Sequence, residues 1–197
     1  MDRKIGTTIR VQPATPDRWP DVAAVFEGDG ARGCWCQYWR QSSARYSAGG
    51  PGSGERNLRA QVDEGPPAPG LIAYADGEPA GWLGLGPRAS MERLVRSRTI
   101  PAIDALPVWS IVCFKVRVSH RRKGVARALL DAAIDYAARH GAPALEAYPI
   151  DAQGERLDVA FSYVGFTSMF EAAGFERVAE TTARSAGRPR VLMRRSL

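Results

Sequence analysis

Apolar residues recur three and four positions apart in the segment that follows Thr15-Pro16-Asp17. Trp19, Val22, Val25 and Phe26 therefore share one face of a helix, with Thr15 and Pro16 marking its start and Gly28 and Gly30 its end. A second helical pattern runs from Val125 to Arg139, with Val125, Leu129, Ala132, Ala133, Tyr136 and Ala137 on its buried stripe. His140-Gly141 closes that helix with a cation and a C-terminal glycine. Shorter helices are predicted over Glu55 to Val62 and over Phe161 to Ala173, the latter stopped by Gly174. Between helices the period changes to that of strands. Leu71 to Ala75, the turn Asp76-Gly77 and Pro79 to Leu85 read as a hairpin. Pro107 leads into Val108 to Val116, whose near-continuous apolar run suits a central strand. Ala144 to Ile150, Phe175 to Thr181 and Arg190 to Met193 complete the strands. Ser47 to Gly54, rich in Gly, Ser and Pro, reads as flexible.

The fold class is α/β. With 197 residues, no internal repeat and no linker, residues 1–197 are expected to form one domain. Residues 28–66, which are aromatic and then Gly/Pro-rich, read as an elaboration on it. The chain is 45% hydrophobic and 24% charged, a composition that excludes disorder. No apolar run approaches the ~18 residues of a membrane span. Met1 to Val11 carries no apolar signal core, so a cytoplasmic protein is expected. The net charge of +6 favours an anionic ligand. Cys34, Cys36 and Cys113 are too few and too poorly spaced for a disulfide framework or a zinc site.

The chemistry concentrates where the long strand passes into the long helix. Arg121-Arg122-Lys123-Gly124-Val125-Ala126 sets three cations beside the start of a helix. Helix starts carry unpaired amides and a partial positive charge. Gly124 lets the backbone approach a ligand, and Ala126 keeps the first turn uncrowded. The arrangement predicts a diphosphate cradle. It is neither a Walker loop nor a Rossmann glycine fingerprint.

Val116 to Leu130 resembles the coenzyme A motif of the GCN5-related N-acetyltransferase (GNAT) superfamily. That motif has Arg or Gln, two variable residues, Gly, one variable residue, then Gly or Ala. A second signature agrees, since Ser168-Met169-Phe170-Glu171-Ala172-Ala173-Gly174-Phe175 is similar to the late helix of that family. The likeness follows element order from Arg10 to Arg194 and is specific over residues 108–176. It implies a mixed, mostly antiparallel sheet flanked by helices, with splayed central strands. It also implies acetyl-CoA as co-substrate, no metal, and transfer of the acetyl group to a primary amine by direct attack. By the same likeness, backbone around Arg121, Arg122, Lys123, Gly124, Val125, Ala126 and Arg127 would hold the diphosphate. Phe114, Val116 and Val118 would bind the pantetheine arm along the strand edge, the Val116 amide would polarise the thioester, and Ser168 and Phe170 would flank the cofactor.

Many family members have tyrosine where Phe170 stands, as the acid for the leaving thiolate. Phenylalanine has no proton to give, so Tyr163 becomes the candidate acid. The strand Val108 to Val116 holds no carboxylate. Glu146 shares a face with Tyr148 on the next strand and is the candidate base, directly or through water. Trp35, Tyr38, Trp39 and Trp82 are candidate walls of the acceptor pocket, for a small-molecule or peptide amine. A homodimer is compatible with the sequence; membrane and nucleic-acid partners are not expected. The alternative within the same resemblance is an acyl-CoA-binding regulator with little or no turnover.

Overall fold

The apolar runs assemble into one seven-stranded sheet in the computed structural model, which describes residues 7–26, 33–152, 163–185 and 187–197. The strands are β1 (Ile9–Pro13), β2 (Gly70–Ala75), β3 (Glu78–Pro87), β4 (Trp109–Val116), β5 (Ala144–Ala147), β6 (Glu176–Ser185) and β7 (Arg188–Ser196). Their order across the sheet is β1-β2-β3-β4-β5-β7-β6. Every neighbouring pair is antiparallel except β4 and β5. The helices are α1 (Trp19–Phe26), α2 (Ser43–Ala48), α3 (Ser53–Asp63), α4 (Glu92–Val95), α5 (Val125–Arg139) and α6 (Thr167–Glu171).

One irregularity shapes the centre of the sheet. Gly84 stands opposite Cys113 and Leu85 opposite Ile111, so Val112 is an extra residue in β4. Such a bulge bends its strand and sharpens the twist. β4 and β5 pair only over Trp109–Leu145, Ser110–Glu146 and Ile111–Ala147. Beyond Ile111 the two strands part. The chain after β5 turns instead to β7 and to the residues before α6, through bridges of Ile150 with Arg190 and Phe166. The splay expected of the central strands is therefore present.

Each sheet face has its own core. Leu129, Leu130, Ala133 and Ala137 of α5 pack over Leu83, Leu85, Ile111 and Leu145. The opposite face is aromatic, with Phe26, Trp35, Trp39, Trp82 and Tyr148 beside Val22, Leu58 and Ile72. Burying each such side chain contributes about 1.5–3 kcal/mol. Trp82 fits because Gly70, diagonal to it on β2 and paired with Gly84, has no side chain. A Cβ at Gly70 would lie 2.3 Å from Trp82 Cζ2 and 2.6 Å from the Leu83 carbonyl. Gly70→Ala is expected to lower stability by about 1–3 kcal/mol through overpacking, read as a shifted urea midpoint at unchanged slope.

The long helix and the hairpin lie where hydrophobic periodicity predicts them. β1 escaped because its two-residue period, Ile9 and Val11 against Arg10 and Gln12, is short. α2 forms at the edge of the stretch read as flexible, with the Ser42 hydroxyl accepting from the Arg45 amide 3.2 Å away. α6 begins at Thr167, later than the predicted Phe161. Tyr163 to Phe166 is drawn into pairing instead, with Phe114 N–H donating to the Tyr163 carbonyl and Ile150 N–H to that of Gly165. Phe161, Gly28 and Gly30 lie outside the described residues.

Candidate active site

At the mouth of the splay, α5 starts without a cap. Arg122 (φ +59°) and Gly124 (φ +86°) both adopt the left-handed region. The first intrahelical bond runs from Ala128 N–H to the Gly124 carbonyl, and no side chain caps the amides before it. Two left-handed turns ahead of a helix aim successive amides toward one point, the geometry of an anion nest. Arg121, Arg122 and Lys123 are exposed around it, while Val125 anchors the turn in the core. The Arg127 side chain points elsewhere, donating to Asp131 at 2.9 Å and to the Ala172 carbonyl at 2.9 Å. Arg127 thus offers the nest its amide, and its guanidinium ties α5 to α6.

The open edge of β4 adjoins this nest. Phe114 N–H faces the splay and donates to the Tyr163 carbonyl at 2.6 Å, whereas Arg117 N–H faces β3 and donates to Ala80 at 2.9 Å. Strand alternation therefore directs the Val116 amide to the splay as well. Val118 is not on this edge: β4 ends at Val116, and Val118 opens a short 3-10 turn with 76% of its surface exposed. Its placement corrects the expectation that the strand edge reaches Val118. Phe170 is fully buried, edge-on to Phe114 at 6.0 Å and to Phe175 at 5.1 Å. It supports β4 from beneath, while Ser168 on the same helix is exposed.

Glu146 lies at the closed end of the splay, opposite Ser110, and is 1% exposed. Its Oε1 accepts from Arg194 Nη2 at 2.6 Å and Nε at 3.1 Å. Its Oε2 accepts from the Tyr148 hydroxyl at 2.8 Å, with Arg88 Nε 3.8 Å away. Tyr148 has one proton and gives it to Glu146, so the Ser110 hydroxyl donates to Tyr148 across 2.8 Å. Burial first, and then the Glu146 charge, hold the Tyr148 phenol above its usual range. Arg194 also binds Asp104 at 2.5 Å. An acceptor in the splay thus meets Glu146 only through other groups. Tyr163 is 37% exposed, and burial pushes its phenol above the ordinary value, so it keeps its proton.

The aromatic candidates separate into two sets. Trp82 is fully buried, edge-on to Phe26, and Trp35 stacks between Phe26 and Trp19. Both belong to the core. Tyr38 and Trp39 instead line a cleft of about 460 Å³ together with Arg93. Beneath this region Cys36 and Cys113 meet over Gly84, where a Cβ would come 2.2 Å from the Cys36 sulfur. The Cys113 thiol is pushed up, first by its hydrogen bond with Cys36 and then by burial. Sequence reading passed over Arg190 and Arg194, while Arg93, with Arg88, Arg96 and Arg98, was expected to face an acidic acceptor. The one available signal was a run of arginines interrupting the apolar end of the chain.

The sheet is thus mixed and opened beyond its short parallel seam, with a basic, uncapped helix start at the mouth of the opening. Residues 34–156 match the model of the "Acetyltransferase (GNAT) family". The chain belongs to that family, as its motifs implied. Solved structures agree on the fold. A GCN5-related N-acetyltransferase from Kribbella flavida is 20% identical, with TM-score 0.55 over 96% of this chain and 98% of the other. YncA from Salmonella typhimurium, solved with its cofactor acetyl-CoA, is 17% identical, with TM-score 0.50 over 96% and 94%. An agmatine N-acetyltransferase variant in apo form is 8% identical, with TM-score 0.59 over 96% and 99%. No curated protein sequence matches this chain significantly. The family match lends no support to the alternative of a regulator without turnover. Among the described residues, no helix is long and apolar enough to cross a membrane.

Proposed function

We propose that the protein transfers the acetyl group of acetyl-CoA to a primary amine by direct attack. The observation that carries this reading is the uncapped nest at Arg122 to Arg127, ringed by exposed cations and adjoining the free edge of β4. The nest suits a diphosphate, and the strand edge suits an extended amide-bearing arm. The Val116 amide then points at the thioester carbonyl. The amine nitrogen attacks that carbon, the carbonyl oxygen takes the negative charge, and Val116 N–H stabilises it. Collapse breaks the carbon–sulfur bond and the thiolate leaves; the nitrogen gives its proton to water, and water returns one to Tyr163 after the phenol has protonated the sulfur. The neutral Tyr163 phenol donates to that sulfur. Glu146 acts at one remove as a positioning residue, since its oxygens hold Tyr148 and Arg194.

Direct attack is favoured over a covalent acetyl-cysteine. Cys113 is the thiol nearest the β4 edge, and a thiol that keeps its proton is a poor nucleophile. The test is thiol release from acetyl-CoA across a panel of primary amines, with the acetylated product identified by mass. Amine-dependent release is expected. Tyr163→Phe should lower kcat roughly 10- to 100-fold, because a positioned acid typically contributes at least that much. Acetyl-CoA binding without release on any amine would defeat the proposal.

A further inference from the structure

Arg190 is a charged residue in the wrong place for a structural role alone. It is 3% exposed on β7 beside the splay, and no carboxylate among the described residues pairs with it. Its Nε donates to the Tyr148 carbonyl at 2.8 Å, but its Nη2 is buried without a partner. Its guanidinium lies 5.1 Å over the ring of Trp39, whose own Nε1 is also buried and unpartnered. Trp39 is 8% exposed and forms a wall of the 460 Å³ cleft. Arg93 stands in the same cleft, its amide on the Trp39 carbonyl at 3.2 Å and its guanidinium 4.1 Å over Tyr38. The Arg93 Nε is a third buried donor with no acceptor. The remaining lining is serine, threonine, alanine and Arg96, with no acid.

Unsatisfied buried donors are rare because each costs about 1–3 kcal/mol. Three of them on adjoining side chains, two of these cationic, match an acceptor-only group with negative charge. We propose that the cleft at Tyr38, Trp39 and Arg93, with Arg190 stacked on Trp39, binds the carboxylate of an amine acceptor. The substrate class is then an amino acid or a similar amino-carboxylate. A carboxylate fits better than a phosphate: its two coplanar oxygens match a guanidinium edge and an indole N–H.

The inference rests on the acetyl-transfer reading, and its test separates the two. Isosteric pairs are compared with the full-length enzyme: phenylalanine with phenylalaninamide, lysine with lysinamide, methionine with methioninamide. Wild type should favour the free acid in kcat/KM for at least one pair. Arg190→Met and Arg93→Gln should each lower that acid-over-amide ratio roughly 10- to 100-fold, the worth of a hydrogen bond to a charged group. Arg190→Lys should restore part of it. Arg93 is only half-buried, so its variant keeps the test decisive even where Arg190→Met folds poorly. Preference for the amides, ratios unchanged in both variants, or acetyl-CoA binding with no acid of the panel acetylated would each overturn the carboxylate site. Calorimetry showing no acetyl-CoA binding would overturn the acetyl-transfer reading itself.

Discussion

Acetyl-CoA affinity falls by at least about 100-fold when Gly124 is replaced by glutamate, because a carboxylate then faces the diphosphate across the nest; juxtaposed like charges cost several kcal/mol. The fold should survive. Only Ile9 Cδ1, 3.6 Å away, stands near a new Cβ, so nothing clashes. Holding a non-glycine residue at φ +86° costs about 1–2 kcal/mol. An acid at the start of a helix offsets about 0.3–1 kcal/mol of that. Gly124→Ala carries the same strain without the charge and should retain much more of the affinity. Titration calorimetry of both variants separates the two effects. Equal affinity for wild type and Gly124→Glu would remove the diphosphate from this site.

The second large effect is on stability. Arg194→Met should cost about 3–5 kcal/mol, since it strands Glu146 as a buried charge with its main partner gone. Arg88 at 3.8 Å is too far to take over the two hydrogen bonds lost. The double variant Glu146→Gln/Arg194→Met should recover a large part of the loss, because glutamine needs no counter-charge. Urea melts of wild type, single and double variants measure the difference. Loss as great in the double variant as in the single one would mean that Arg194 stabilises chiefly by packing, or through Asp104.

The cofactor half of the site was legible in the sequence because it is local. A strand, three cations, a glycine and a helix lie consecutively from Val116 to Arg139, and local geometry alone turns them into a nest. The proposed acceptor half was not legible because it is assembled from distant segments. Trp39, Arg93 and Arg190 meet only after β7 has been inserted next to β5 and across from the aromatic layer. Trp35 and Trp82 look the same as Trp39 in sequence, and only packing tells a core indole from a wall. The Glu146 carboxylate was visible as an acid on the right strand. Its saturation by Arg194 depends on the β5–β7 register, which no residue spacing encodes. Val118 was misplaced because the likeness carried the cofactor-binding edge two residues past the strand, whose end at Val116 the apolar run did mark; the turn from Val118 takes the chain off that edge.

The parallel pairing of β4 with β5 spans only Trp109 to Ile111. The sheet therefore resembles a half-closed zipper, with Glu146 and Arg194 clamped at its stop. Among the described residues, the one backbone bond across the opening beyond Ile111 on the β4 edge is that of Phe114 with Tyr163, so an arm laid along that edge would have it to displace. The wedge is cut during folding, so loading the enzyme need not tear any ladder apart.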